Sequence, residues 1–402
     1  MRTGVTIIGI GEDGLDGLSP RARAVIDTAE VLVGGERHLE KVSGGDVERV
    51  TWGKGFDDGV RAIRENEGKR IVVLASGDPM YFGVGATLAR RFGLEGFDVI
   101  PAPGAFSLAA ARMGWSLPDV DCLTVHGRPL ETVNLYTRPG ARLLILSWDG
   151  TTPAKLAQML ADKGFGESIL TALGHMGGSN ESRVSATAAE WPSEPVADLN
   201  TVAVECVAGP EAVYWPRVPG LPEDAFEHDG NITKREVRAA TLARLAPLPG
   251  QTLWDVGAGS GAVAIEWLRA EPSAKAVAME HKTDRAQVIA RNAAVLGVPS
   301  LKVIEGAAPG AFVQLDGTPD AIFVGGGVSV PGMLNACWDA LSGSGRLVAN
   351  AVTLEAQQAV TSFRETHGGD LTRLDVSRAE PVGDLNALNP FKGVLQLAAV
   401  KS

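Results

Sequence analysis

The residues best suited to chemistry in this chain sit in short glycine turns that follow apolar runs. Trp254-Asp255-Val256-Gly257-Ala258-Gly259-Ser260-Gly261 leads into a helix-forming stretch at 262–269. Glycines there let backbone approach a ligand, and the N–H groups of a helix start face it. The spacing is G-x-G-x-G, and Ala264 stands where a dinucleotide turn would place its third glycine. The next apolar run ends in Glu280, the right place for a carboxylate that holds a ribose diol. Glu305-Gly306-Ala307-Ala308-Pro309 and Gly325-Gly326-Gly327 close the following two runs. Singly, each reads as an ordinary turn or a solvated charge. At successive strand ends they point to a nucleoside site, since open α/β sheets bind ligands in that crevice.

A second set lies nearer the N-terminus. Ala75-Ser76-Gly77-Asp78-Pro79-Met80-Tyr81-Phe82-Gly83 follows an apolar run, and Pro101-Ala102-Pro103-Gly104-Ala105-Phe106-Ser107 enters a helix. His126-Gly127-Arg128-Pro129 and Leu146-Ser147-Trp148 come next. Asp-Pro is common turn chemistry, but the Pro-Gly helix entry beside it favours a ligand role for Asp78. Gly9-Ile10-Gly11-Glu12-Asp13-Gly14 matches G-x-G-x-x-G literally. The helix it should open starts only at Ser19-Pro20, so the third glycine cannot sit in helix–strand packing and a NAD turn is set aside. His126 and His175 read as structural histidines, and no catalytic acid or base is assigned.

The elements that must position these residues follow from the hydrophobic pattern. Strands are expected at 5–8, 71–74, 143–146, 169–173 and 202–205, and again at 252–256, 276–279, 303–304, 321–324 and 347–349. Alternation with amphipathic stretches predicts parallel α/β sheets. Ser19-Pro20 and Thr152-Pro153 each place a capping hydroxyl before a helix-starting proline. Thr233-Lys234-Arg235-Glu236 reads as a capping box. The rhythm breaks once, at 208–229, where Pro210, Pro216, Pro219 and Pro222 crowd together. Domains are therefore expected at 1–207 and 230–402, joined by a proline-rich linker.

Length and composition agree with two globular domains: 402 residues exceed one ordinary core, and 45% are hydrophobic. The net charge is −11, with 20 Lys and Arg against 26 Asp and Glu in residues 1–200, and 17 against 22 in 201–402. A chain acidic in both halves is a poor partner for nucleic acid or a membrane surface. Cys122, Cys206 and Cys337 lie too far apart for a zinc site or a disulfide framework, which suits a reducing cytoplasm. No metal site is expected.

The C-terminal turns, with Gly220-Leu221-Pro222-Glu223-Asp224-Ala225-Phe226 and Ile232-Thr233-Lys234-Arg235-Glu236-Val237-Arg238 before them, resemble the CbiT family of class I S-adenosylmethionine-dependent methyltransferases over about 220–402. That resemblance implies cofactor contacts at Thr233, Gly257, Ala258, Gly259, Ser260, Gly261, Glu280 and Ala308. Ala307 departs from a frequent Asp, and Glu280 stands where Asp is common. Residues 3–207 resemble the CbiE family of class III tetrapyrrole methyltransferases, whose fold places the cofactor between two α/β lobes. The contacts implied there are Ser76, Gly77, Asp78, Tyr81, Gly104, Phe106, Ser107 and Trp148. Glu12 and Asp13 replace a usual Pro-Gly in the first loop.

Together the halves resemble the fused CobL family of corrin biosynthesis. The resemblance implies two S-adenosylmethionine sites, methylation of precorrin-6B at C5 and C15, and loss of CO2 from the ring-C acetate to give precorrin-8 on the way to cobalamin. The expected partner is a tetrapyrrole, with Arg37, His38, Arg128, Lys234, Arg235 and Arg346 as candidates to meet its carboxylates, and a homo-oligomer is expected. Rival readings are a nucleic-acid or other small-molecule methyltransferase, a NAD-dependent oxidoreductase and a non-catalytic cofactor-binding module. An amino-methylating enzyme would want an N-P-P-Y-like run after the fourth strand, where Val324-Gly325-Gly326-Gly327 stands instead.

Overall fold

The computed structural model describes residues 4–42, 46–52, 56–93 and 97–401. The chain forms two compact units. One comprises residues 1–128 and 137–213; the other comprises 129–136 and 214–402.

In the first unit, β1 (Val5–Ile10), β2 (Val31–Gly34), β3 (Glu48–Thr51), β4 (Ile71–Ser76) and β5 (Phe97–Ile100) form a parallel sheet in the order β3-β2-β4-β1-β5. Both faces are covered. Ile7, Val33 and Val73 pack on one side, and Ile8, Leu32 and Leu74 on the other. Strands buried on both faces read as unbroken apolar runs, which is why 5–8 and 71–74 stand out. Each such fully buried side chain contributes roughly 1.5–3 kcal/mol.

The second sheet of this unit departs from the parallel expectation. It contains β6 (Asp121–Thr124), β7 (Arg142–Leu146), β8 (Ile169–Gly174), β9 (Ser182–Thr187) and β10 (Asn200–Glu205), in the order β6-β7-β10-β8-β9. Only β6 and β7 are parallel; every other pairing is antiparallel. The turn at 175–181 joins β8 directly to β9, and antiparallel neighbours need no helical crossover.

The second unit carries β11 (Thr252–Val256), β12 (Lys275–Glu280), β13 (Lys302–Glu305), β14 (Ala321–Val324), β15 (Arg346–Ala351) and β16 (Asp370–Leu374). The hairpin strands β17 (Ser377–Val382) and β18 (Leu385–Pro390) follow, then β19 (Val394–Val400). Seven strands form one sheet in the order β13-β12-β11-β14-β15-β19-β16, parallel up to β15, with β19 antiparallel to both of its neighbours. Strand order reverses beside β11, so the ligand crevice lies at the carboxyl ends of β11 and β14.

Two of the three expected caps are absent. Ser19 Oγ accepts from Ala22 N as expected. Thr152 lies inside its helix, and its hydroxyl accepts instead from the N–H groups of Trp148 and Asp149. Thr233 precedes the helix Arg235–Leu245 without capping it. Glu223 accepts from Arg235 N in its place, and the Glu236 carboxylate is drawn off to Arg378. The stretch around 208–229 is more than a connector, because Leu221 and Phe226 are buried in the second unit's core.

Candidate functional site

Three loops meet at the carboxyl end of the first sheet. A Cβ on Gly9 would lie 1.8 Å from the Gly77 carbonyl oxygen and 2.7 Å from Ala102 N. Gly77 has φ +52°, and a Cβ there would lie 2.8 Å from Gly104 Cα. Backbone therefore packs directly on backbone where these loops meet, a close approach that any side chain would push apart. Ser76 ends β4, and its Oγ bonds to His38 Nε2 at 2.8 Å and accepts from Arg37 at 3.2 Å. Asp78 Oδ1 accepts from Met80 N, tightening the turn. Burial, with the charges of Arg37 and Lys41, pushes His38 down to about 4, so its ring is neutral.

Beside this junction is an aromatic shelf. Tyr81 and Phe82 are about half exposed, Trp148 is 58% exposed, and Phe106 is buried beneath the first two. Arg128 lies over Phe82, and His126 stacks on Trp148. Gly104 is the N-cap position of the helix Ala105–Met113, and Ser107 is exposed on its first turn. A flat conjugated ring with carboxylates suits such a surface. Phe106 itself serves the core rather than facing outward.

Glu12 takes a place the sequence did not define. Its carboxylate accepts from Lys41, lies 3.3 Å from Arg37, and bonds to His175 Nδ1 at 3.1 Å. Burial would raise its pKa, but the hydrogen bonds from Lys41 and His175 and the Arg37 charge outweigh that and hold it below the ordinary value.

The second unit repeats the principle on a different frame. Gly257, Gly259 and Gly261 all have positive φ. A Cβ on Gly257 would lie 2.7 Å from Gly326 Cα, and one on Gly261 would strike Ile289. Gly257 and Ala258 donate to the Met279 carbonyl, and Gly325 donates to Val256, so the turns after β11 and β14 are fixed side by side. Ser260 is buried, and its carbonyl accepts from Asn292. Glu280 is only 2% exposed and accepts from the N–H groups of Gly259, His281 and Lys282. It stands at the expected strand end, turned under the glycine loop. Gly306 donates to the Glu280 carbonyl, bringing the Ala308 loop to the same edge.

Two residues here escaped the sequence reading. Asp255 is buried with Oδ2 on Ala264 N, while Oδ1 has no partner among the described residues. It was visible in the motif, but nothing in a sequence marks an unpaired oxygen. Arg238, fully buried, bonds to Glu266 and to the carbonyls of Thr233 and Leu221, and Glu266 accepts from Gly220 and Leu221 N. This clamp holds Thr233 and the lead-in to the second unit. Arg346 is a correction: it sits at the amino end of β15, bonded to Gln251, away from the crevice. Lys234 lies over Phe391. Among the described residues no cluster could hold a metal, and no helix is long and apolar enough to cross a membrane.

Comparison with known proteins gives matches along the chain. Residues 4–192 match the family described as Tetrapyrrole (Corrin/Porphyrin) Methylases, and residues 224–401 match the Precorrin methyltransferase domain. A decarboxylating precorrin-6Y C(5,15)-methyltransferase of Sinorhizobium sp is 45% identical over 401 residues, 99% of this chain and 96% of that one. One from Mycobacterium tuberculosis is 40% identical over 402 residues, 99% of this chain and all of its own length. The solved C-terminal domain of the precorrin-6Y C5,15-methyltransferase of Rhodobacter capsulatus is 40% identical, with a TM-score of 0.44, covering 46% of this chain and 100% of that one.

Proposed function

This chain belongs to the decarboxylating precorrin-6Y C(5,15)-methyltransferases, and from that premise we propose how its two halves divide the work. It is an S-adenosylmethionine-dependent methyltransferase of cobalamin biosynthesis, joining a class III tetrapyrrole methyltransferase fold to a class I domain. It methylates precorrin-6B at C5 and C15 and decarboxylates the ring-C acetate.

We assign the first domain to residues 1–207 and the second to 230–402, joined by 208–229, with 129–136 and the later part of that joining stretch packed into the second core. Each domain has one cofactor site. Ser76, Gly77, Asp78, Tyr81, Gly104, Ser107 and Trp148 form the first, with Phe106 packed beneath Tyr81 as its support. Thr233, the turn at 257–261, Glu280 and Ala308 form the second. The observation that supports this reading is the pair of glycine contacts at the carboxyl ends of the two sheets, Gly77 against Gly104 and Gly257 against Gly326, where backbone approaches backbone too closely for any Cβ. The bound cofactor supplies an electrophilic methyl group at each. The chain aligns the ring carbon with it, and orientation alone lowers a barrier by roughly 7–11 kcal/mol.

The N-terminal domain methylates C5; the C-terminal domain methylates C15 and releases CO2. Decarboxylation needs an electron sink, and a conjugated imine of the ring beside the acetate provides one. The protein's task is then to desolvate the carboxylate at the open strand end of 325–327. The outward Val382, Leu385 and Leu388 of the β17–β18 hairpin support a homo-oligomer.

Calorimetry with S-adenosylhomocysteine tests the site count. The expected stoichiometry is two per chain, with no binding of NAD; a stoichiometry of one would remove the two-site reading.

A further inference from the structure

Methylating a bridging ring carbon that already bears hydrogen creates a need the cofactor does not meet. The ring's electron pair forms the new C–CH3 bond as the sulfonium C–S bond breaks. The carbon then carries one substituent too many for conjugation. Its C–H bond must break, the pair returning to the ring and the proton going to a base.

We propose that His175, oriented by Glu12, is the base that takes this proton at the carbon methylated in the N-terminal half. The inference rests on the N-terminal site assigned above. Other candidates there are committed elsewhere. Asp78 caps its own turn, His126 stacks on Trp148, and Nε2 of His38 is bonded to Ser76. His175 differs from each of them. Its Nδ1 meets Glu12 Oε2 at 3.1 Å, its side chain is about a third exposed, and Nε2 makes no hydrogen bond among the described residues. An ionised carboxylate on Nδ1–H fixes the tautomer that leaves a lone pair on Nε2, and it stabilises the imidazolium formed on protonation.

The backbone is built for this placement. His175 has φ +46°, a backbone conformation uncommon outside glycine. Such a conformation persists only where the surroundings over-determine it. Here His175 N donates to Leu199, and Gly178 lies so close that a Cβ would stand 2.8 Å from Glu12 Cβ. Glu181 pins the same loop by accepting from Gly177 N and from Arg112. Glu12 is held on its other side by Lys41 and Arg37, and Arg37 reaches Ser76 Oγ in the cofactor loop. The charged groups around the pair are thus Arg37 and Lys41 beside Glu12, and Glu181 with Arg112 behind the loop.

The test uses the full chain and His175→Asn, since asparagine tolerates positive φ and cannot serve as the base. With precorrin-6B and S-adenosylmethionine, mass spectrometry should show C5 methylation slowed by about 10²–10⁴-fold, the usual worth of a general base. C15 methylation and CO2 loss should be unchanged, as should the S-adenosylhomocysteine stoichiometry. In the unliganded chain, nitrogen NMR should show His175 with Nδ1 protonated and Nε2 bare, and Glu12→Gln should disturb that tautomer. Normal C5 methylation in His175→Asn, or a protonated Nε2 in the wild type, overturns the role of His175 while leaving the cofactor site standing. A wild-type chain that binds at only one site overturns the site itself, and the base with it.

Discussion

At the scale of single residues, both glycine contacts depend on the absence of a side chain. Gly257 has φ +68°, and the position of its missing Cβ is already claimed by Gly326 backbone. Left-handed backbone alone costs a substituted residue about 1–2 kcal/mol, and the clash adds to it. Gly257→Ala should therefore lower the melting temperature and reduce S-adenosylhomocysteine binding from two sites to one in calorimetry. Two intact sites would show that the crevice tolerates a methyl group. Asp255 offers a pH test. Burial pushes its carboxyl up to about 7; the Ala264 N–H opposes that, and the Glu280 charge reinforces it. A folded pKa above the unfolded one gives stability that is full at acid pH and lost as pH rises through about 7. Asp255→Asn should therefore raise the melting temperature more at mildly alkaline pH than at acid pH. An equal shift at both would mean Asp255 stays ionised.

Elements differ in how far the sequence reveals them, and the reason is burial. Residues 321–324 are buried throughout and read as an apolar run with its full bounds, and 252–256 do so on Leu253, Trp254 and Val256 around the buried Asp255. Phe97–Ile100 and Ser182–Thr187 carry few buried side chains, so no run marks them. The strands Ser377–Val382 and Leu385–Pro390 are almost wholly exposed, and Arg378 ties their hairpin to Glu223 and Glu236, 155 and 142 residues away. Such pairings exist only in the fold. The glycine turns at strand ends were legible because their chemistry is local. The partners of Glu12 and Glu280 were not, since a carboxylate looks the same whether it faces solvent or backbone N–H. The Arg238–Glu266 clamp gives a test at this scale. Arg238→Ala leaves Glu266 buried without its cation, a loss that typically costs about 3–5 kcal/mol. Denaturant unfolding should show that loss, and hydrogen exchange should quicken at Gly220 and Leu221. An unchanged midpoint would mean that the lead-in is held by packing alone.

For the whole molecule, the two units have unrelated frames: a five-stranded parallel sheet with a mixed sheet, and a seven-stranded sheet reversed beside β11. Two frames, each with its own glycine contact, are what a chain with two methylations to perform would carry. Residues 129–136 belong to the second unit although the chain on both sides belongs to the first, and Leu135 lies in the second unit's core. Cutting the chain near 214 would strip that piece away, so the division of labour is best tested in the intact protein. Gly77→Val disables the first site by placing a branched side chain at φ +52° against Gly104. The variant is given precorrin-6B and S-adenosylmethionine, and the product is weighed by mass spectrometry. The account predicts a gain of one methyl group and the loss of one CO2. A product that gains a methyl group and keeps its carboxylate, or one that still gains two, would contradict it.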